Sequence, residues 1–142
     1  MTRYVVDASV VAKWFVPEVH SDAALRILDD AHELLAPDLL VPEVGNVLWK
    51  KVRLGELRGT ESREILAVFS TAPVEIHRST PLLELAFEIA LLTARTVYDS
   101  LYLALATVHE CRLITADRKL YRALRAGGFA SHLQWVEDRP RS

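Results

Sequence analysis

Four acidic residues stand where a folded chain could bring their carboxylates together. Asp7 ends the first apolar run of the sequence, and Asp117 follows the fourth such run. Glu43 lies in the first turn of a predicted helix, and Asp99 opens another. If the two apolar runs form neighbouring parallel strands, Asp7 and Asp117 share one edge of a sheet, and both helix starts can point toward that edge.

Carboxylates gathered in this way need a counter-charge. Two like charges about 5 Å apart repel by roughly 3 kcal/mol at an effective dielectric constant near 20. The acids must therefore be neutralised by cations or take up protons. Ligands that are all oxygen suit a hard cation such as Mg²⁺ or Mn²⁺, and a metal held in this way activates water and stabilises charge on a phosphodiester. The residues alone thus predict metal-dependent phosphoryl-transfer chemistry.

Each acid also has a simpler structural explanation. Asp99 and Asp117 stand where they could be helix N-caps, a position that Asp favours. Glu43 could be a solvated first-turn residue that the helix dipole stabilises. Asp7 is harder to explain in this way, because a carboxylate at the end of a buried strand requires a partner. Spacing alone leaves the structural and the catalytic interpretations open.

The elements that would position these acids alternate along the chain. Short apolar runs predict five strands, and longer periodic stretches predict helices between them. The strands are predicted at 4–6, 34–36, 74–76, 112–115 and 133–136, and the helices at about 21–28, 39–54, from 60, 80–95, 99–109 and 117–126. Ser21 and Thr80 are predicted N-caps, with Pro81 as the first helical residue after Thr80. This alternation predicts an α/β fold with a mostly parallel sheet.

Length and composition bound the class of protein. The 142 residues, 51% of them hydrophobic, suit one domain over 1–142 with an ordered core of about 3–137. The single cysteine excludes a disulfide framework and fits a cytoplasmic protein, and no apolar stretch is long enough to predict membrane association. A net charge of −2 argues against a general nucleic-acid binder. A metal pocket that uses four of the 19 acids would still leave 17 basic residues for its rim.

Four segments that contain these acids resemble, in order, the four acidic motifs of PIN-domain ribonucleases, and most closely those of the VapC toxin branch. The resemblance spans essentially the whole chain, and no acid of the pattern is missing. The segments are VVDAS at 5–9, PEVGNVL at 42–48, YDSLYLALA at 98–106 and LITADRKL at 113–120.

The resemblance implies a fold, an activity and partners. The fold would be a three-layer α/β/α domain with a five-stranded, mostly parallel sheet. The activity would be that of an endoribonuclease that needs Mg²⁺ or Mn²⁺ and cleaves RNA phosphodiesters to leave 5′-phosphate and 3′-hydroxyl ends. The protein would be the toxin of a toxin–antitoxin pair, a homodimer held inactive by a VapB-type antitoxin.

The resemblance also assigns roles to single residues. Asp7 and Asp99 match the first and third acids, which are the most consistent metal ligands of the family. Glu43 matches the second acid, which orients the metal shell or the attacking water, and Asp117 matches the fourth, often bound to the metal through water. Ser9 matches a hydroxyl that supports the first Asp. The expected catalytic residues are Asp7, Glu43, Asp99 and Asp117, with the metal held by Asp7, Asp99 and Asp117.

A basic helix face is the remaining candidate for substrate binding. Arg118, Arg122 and Arg125 are spaced so that they share one face of the last predicted helix. They could hold RNA phosphates beside the metal, or they could simply be solvated. The histidines form no HExxH motif and the chain has no P-loop, so neither zinc nor a nucleotide cofactor is predicted.

Two functions of other classes stay open at this point. A signalling receiver also gathers acids at strand ends, but it carries adjacent acids after its first strand, where Ala8 follows Asp7 here. It also ends its third strand with a phospho-accepting Asp, whereas His77 stands there. A non-catalytic module whose acids bind only metal or a partner protein is the other alternative. Metal binding without RNA turnover would favour that module.

Overall fold

The architecture is a single five-stranded sheet with helices between its strands, in a computed structural model that describes residues 2–29 and 32–138. The strands are β1 (Arg3–Val6), β2 (Glu33–Pro37), β3 (Val74–His77), β4 (Arg112–Thr115) and β5 (Leu133–Trp135). They lie in the order β3-β2-β1-β4-β5, and every neighbouring pair is parallel. The α/β class and the five predicted strands are therefore confirmed.

Seven α-helices connect and cover these strands within the described residues. They are α1 (Ala8–Phe15), α2 (Ser21–Asp29), α3 (Leu40–Arg53), α4 (Gly59–Phe69), α5 (Leu83–Thr93), α6 (Val97–Val108) and α7 (Arg118–Leu124). Short 3₁₀ turns at Thr80–Leu82 and Ala130–His132 precede α5 and β5. Crossovers of this kind are what a parallel sheet requires, because its strands cannot be joined by tight hairpins.

The centre of the sheet is the most deeply buried part of the molecule. Val5 and Val6 of β1, with Leu113 and Ile114 of β4, are fully inaccessible to solvent. The chain winds outward from β1 through β2 to β3 and then returns to the other side of β1 as β4. The strand order therefore reverses between β1 and β4, and ligands of open α/β sheets bind at such a reversal. Val6 pairs with Ile114, so the residues after both strands emerge side by side.

Helices α5 and α6 are the most apolar elements. Residues 100–106 of α6 are all buried, which confirms the prediction of a central helix, and α6 packs on β1, β2, β4 and α5.

No single helix in 2–29 or 32–138 has both the length and the apolarity to cross a membrane. The pair Thr80–Thr93 and Val97–Val108, bent by 113°, meets those criteria only when the two are taken together.

Two predicted N-caps are wrong. Thr80 lies inside the 3₁₀ turn, and α5 begins only at Leu83, because Ser79 turns toward β2 and donates to Asp38 from both its amide and its hydroxyl. Ser21 is the first residue of α2, and its hydroxyl accepts a hydrogen bond from the Glu18 amide of the preceding loop at 2.9 Å. In both places a contact with a neighbouring segment replaces local capping.

Candidate active site

Asp7 lies directly after β1 and is only 6% exposed. Both of its carboxylate oxygens are engaged: the Ser9 hydroxyl donates to Oδ1 at 2.5 Å, and the Thr115 hydroxyl donates to Oδ2 at 2.5 Å. The Val10 amide also donates to Oδ1 at 3.3 Å, so Asp7 is the N-cap of α1. No Lys or Arg of the described chain pairs with this carboxylate. Dipoles alone offset its charge.

The burial of Asp7 makes its carboxyl group harder to ionise. Burial raises its pKa from 3.8 to about 6, against the hydrogen bonds from Ser9 and Thr115, and the nearby charge of Asp117 adds to the rise. A bound cation strongly stabilises a buried carboxylate that lies near another acid. Asp7 is thus the residue of the site with the greatest need for a counter-ion.

Ser9 and Thr115, which we call the hydroxyl clamp, tie Asp7 to the turn after β4. The Ser9 hydroxyl accepts from the Ala116 amide at 2.8 Å, and the Thr115 hydroxyl accepts from the Asp117 amide at 3.1 Å. Each hydroxyl therefore donates to Asp7 and accepts from the backbone that carries Asp117. The clamp fixes the relative positions of the first and fourth acids through short, satisfied side chains.

Asp117 has the structural role that its sequence position allowed. Its Oδ1 accepts from the amides of Lys119 at 3.0 Å and Leu120 at 3.2 Å, which makes it the N-cap of α7. Its Oδ2 accepts no hydrogen bond from the described residues. The cap therefore uses one oxygen and orients the side chain, and the other oxygen is open to a cation or to water bound to one.

Glu43, in the first turn of α3, contacts a residue of the central helix. The Tyr102 hydroxyl donates to Glu43 Oε1 at 2.5 Å, and Tyr102 is 3% exposed. Burial raises the pKa of Glu43, the Tyr102 hydrogen bond opposes this, and the charge of Asp99 adds to it. Burial, followed by the charges of Glu43, Asp7 and Asp99, raises the pKa of Tyr102 above its ordinary value. Tyr102 therefore stays protonated and lies among three of the four acids.

Asp99 is not an N-cap, because α6 begins at Val97 and its N-cap is Thr96. The Thr96 hydroxyl accepts from the Asp99 amide at 3.1 Å, which leaves the carboxylate free for other contacts. Arg95 Nη2 donates to Asp99 Oδ2 at 3.1 Å. The Nε of Arg95 is buried without a hydrogen-bond partner, so only part of this guanidinium is satisfied.

The charges of the four predicted acids act on one another or on Tyr102, but the acids do not form a complete metal site. In the described ranges, no three His, Cys, Asp or Glu side chains form a group that could hold a metal as it stands. Arg95 occupies one oxygen of Asp99, and the α7 cap occupies one of Asp117. Mg²⁺ and similar ions bind through one or two carboxylates and keep several waters. The all-oxygen donors fit such a hydrated divalent cation, for which carboxylate and water ligands are typical.

Three residues of the site escaped the sequence prediction: Thr115, Tyr102 and Arg95. A polar residue at the end of an apolar strand was the available signal for Thr115. Tyr102 and Arg95 stand three and four residues from Asp99, at the spacing that places helical side chains on one face. The predicted support of Asp7 by Ser9, in contrast, is present as a hydrogen bond.

Comparisons with known proteins agree with this geometry. Residues 4–125, which include all four acids, match the PIN domain family. Ribonuclease VapC3 of Pyrobaculum aerophilum is 41% identical over 121 residues, which are 83% of this chain and 92% of that protein. Exonuclease VapC9 of the same organism is 30% identical over 119 residues, 83% of each. The crystal structure of PAE2754 from Pyrobaculum aerophilum has a TM-score of 0.69 at 25% identity and covers 96% of this chain and 85% of its own. The chain therefore belongs to the PIN-domain family, in its VapC branch.

Proposed function

We propose that this protein is a metal-dependent ribonuclease that acts as the toxin of a toxin–antitoxin pair. One observation carries the proposal: a buried carboxylate, Asp7, lacks a cationic partner and lies near Asp117 at the strand-order reversal, and its charge acts on Tyr102 together with those of Glu43 and Asp99. The similarity to Ribonuclease VapC3 supports RNA as the substrate.

Asp7 and Asp99 would hold a divalent cation directly, and Asp117 would hold it directly or through water. Mg²⁺ and Mn²⁺ are the ions that suit this set of oxygen donors. When bound, such an ion supplies charge neutralisation at the phosphodiester and a lowered pKa for water. Asp7 must be ionised to act as a ligand, and the hydroxyl clamp holds its carboxylate in one orientation.

Glu43 would orient the attacking water and accept its proton. Its Oε1 is fixed by the Tyr102 hydroxyl, and its Oε2 is left to accept a hydrogen bond from water. A pKa raised by burial brings this carboxylate closer to neutral pH, where a general base works best. Tyr102 would act as a positioning residue, since it contacts Glu43 and not the reacting atoms.

Cleavage within the RNA strand is the mode that we propose, with 5′-phosphate and 3′-hydroxyl products. One relative is named a ribonuclease and another an exonuclease, so the mode needs its own test. A circular single-stranded RNA serves this purpose, because only an endonuclease can linearise it. We expect linear products with Mg²⁺ or Mn²⁺, none with EDTA, and none with Asp7→Asn.

Other outcomes of that assay would overturn parts of the proposal. Digestion of linear RNA with intact circles would establish an exonuclease. Full activity of Asp7→Asn, or activity in EDTA, would remove the metal-centred mechanism. If the protein binds metal tightly but cleaves neither the circular nor the linear RNA, the non-catalytic module would be favoured instead.

We further propose that the protein forms a homodimer and binds a VapB-type antitoxin in the cytoplasm. Leu83, Phe87 and Leu91 recur every four residues along α5, and their exposed fractions are 52%, 54% and 68%. Such an apolar stripe is the kind of surface that a protein partner covers. Analytical ultracentrifugation of the wild type and of Phe87→Glu would test the dimer: the wild type should sediment as a dimer and the variant as a monomer.

A further inference from the structure

A cleft of about 230 Å³ lies beside the candidate active site, on its β5 side. Thr115 and Trp135 are register partners across β4 and β5, and Thr115 donates to Asp7. Adjacent strands lie about 4.8 Å apart, so the cleft begins one strand beyond the hydroxyl clamp. The lining residues are Arg118, Tyr121, Arg122, Arg125, Trp135 and Glu137.

The three arginines of the cleft are available to an anion. Arg118, Arg122 and Arg125 are exposed, and none forms an ion pair with a carboxylate of the described chain. Glu137 lines the same cleft, and its Oε1 accepts from Trp135 Nε1 at 2.9 Å and lies 3.4 Å from His20 Nδ1. Guanidinium groups that have no ion-pair partner and line one cleft suit phosphate oxygens, which they bind in pairs.

The Trp135 ring, which also lines the cleft, is held in place by its neighbours. The Trp135 ring has Tyr121 and His20 packed at 5.4 Å between ring centroids, and the Arg118 guanidinium lies 5.4 Å from its centroid. A ring fixed by three neighbours loses little freedom when a ligand packs on it. Nucleobases stack on aromatic rings and on arginine planes, and both are present here.

We propose that this cleft is a subsite for single-stranded RNA that flanks the cleaved bond. Arg122 and Arg125 bind backbone phosphates, while Trp135 and Arg118 stack a base. The proposal rests on the proposed ribonuclease function, because it takes RNA as the substrate. It specifies a single strand, since a base paired in a duplex does not offer its face for stacking.

Binding of a fluorescein-labelled single-stranded oligoribonucleotide in EDTA tests the subsite without cleavage. Fluorescence anisotropy compares the wild type with Arg122→Ala/Arg125→Ala, two exposed positions whose loss leaves the core intact. We expect affinity to fall at least about tenfold at low salt, and the slope of log affinity against log salt to flatten by roughly 1.4, about 0.7 for each lost phosphate contact. The matched control is Arg58→Ala/Arg63→Ala, which removes the same charge at the start of α4, a helix that packs on α3. The control should bind within about twofold of the wild type.

Stacking is tested separately with Trp135→Leu and Arg118→Ala, each checked by circular dichroism for the native fold. We expect either variant to lose at least about fivefold in affinity for the single strand. A duplex of the same sequence should bind more weakly to the wild type than the single strand does.

Three results would overturn the subsite: no wild-type binding at low salt, equal loss of affinity in the control pair, or unchanged affinity in Arg122→Ala/Arg125→Ala. The outcome is separable from that of the proposed function. If the protein cleaves RNA but its RNA affinity is unchanged in Arg122→Ala/Arg125→Ala, the subsite alone is refuted. Arginine-dependent binding by a protein that never cleaves RNA would refute the ribonuclease alone.

Discussion

The site has a strand half and a helix half, and they are built differently. In the strand half, Asp7 and Asp117 follow adjacent strands and are joined by the hydroxyl clamp, so short side chains and backbone amides set every position. In the helix half, Glu43 and Asp99 project from α3 and α6 and are held by Tyr102 and Arg95. Longer side chains and one ion pair set the positions there.

This difference indicates which half is preorganised and which half adapts. The strand half buries its central acid almost completely and satisfies both clamp hydroxyls, so it has few other arrangements. The helix half contains a partly satisfied guanidinium on a metal-ligand candidate, and a cation could displace it. We therefore expect substitutions in the strand half to have the larger effects.

Asp7→Asn gives the largest expected effect, and its effects on activity and stability are opposite in sign. RNA cleavage should fall to background, because the buried ligand loses its charge. The free energy of unfolding of the metal-free protein should rise by up to about 3 kcal/mol at pH 7, since Asn has no charge to bury. Urea unfolding in EDTA measures this change.

The raised pKa of Asp7 predicts how the free energy of unfolding changes with pH. The raised pKa of Asp7 means that the native state holds the proton more tightly than the unfolded state between about pH 4 and pH 6. Asp7 should therefore lower wild-type stability progressively as the pH rises through that window, and Asp7→Asn should lack this loss. An Asp7→Asn variant whose stability falls across this pH window as much as that of the wild type would refute the assigned burial cost.

Asp117→Asn separates capping from catalysis. Asn is as good an N-cap as Asp, so the free energy of unfolding should stay within about 0.5 kcal/mol, whereas Asp117→Ala should lose about 1 kcal/mol. Both variants should lose about 100-fold in cleavage rate if the second oxygen serves the metal. Full activity of the Asp117→Asn protein would show that Asp117 serves only as the N-cap of α7.

Thr115→Val removes one arm of the hydroxyl clamp at nearly constant volume. Asp7 loses a donor, and the Asp117 amide loses its acceptor. We expect cleavage to slow about 30-fold, within the range for groups that orient metal ligands, with weaker Mn²⁺ binding in calorimetry. Thr115→Ser, which keeps the hydroxyl, is the control and should retain most of the activity.

Tyr102→Phe tests the helix half and should cost less, about tenfold in kcat. Loss of the hydroxyl removes the bond that lowers the pKa of Glu43, so that pKa should rise further. The acidic limb of the pH–rate profile should then move to higher pH. A reduced rate without that movement would assign Tyr102 a packing role only.

Arg95→Gln should produce the smallest change. The partly exposed ion pair contributes no more than about 1 kcal/mol to stability. Removal of this positive charge from Asp99 should tighten Mn²⁺ binding about threefold, as a titration would measure. Weaker Mn²⁺ binding would show that Arg95 supports the acid instead of competing for it.

The sequence predicted the parts of the molecule that depend on local pattern. Apolar runs located all five strands, and uniform apolarity identified α6 as the central helix. The predicted cap at Thr80 is wrong, because Ser79 bonds to Asp38, which lies 41 residues away in the sequence. The same limit applies to the site: its acids follow from motifs, but the pairing of Tyr102 with Glu43 depends on how α3 and α6 pack.

Calorimetric titration of Mn²⁺ into the wild type and Asp7→Asn tests the metal centre most directly. Because the pKa of Asp7 is about 6, wild-type binding at pH 6 should release about half a proton from this carboxylate, and binding at pH 8 almost none. Buffers of different ionisation enthalpy measure that release. Asp7→Asn should bind Mn²⁺ at least about tenfold more weakly, without the release. Equal binding by both proteins would contradict a metal centre built on Asp7.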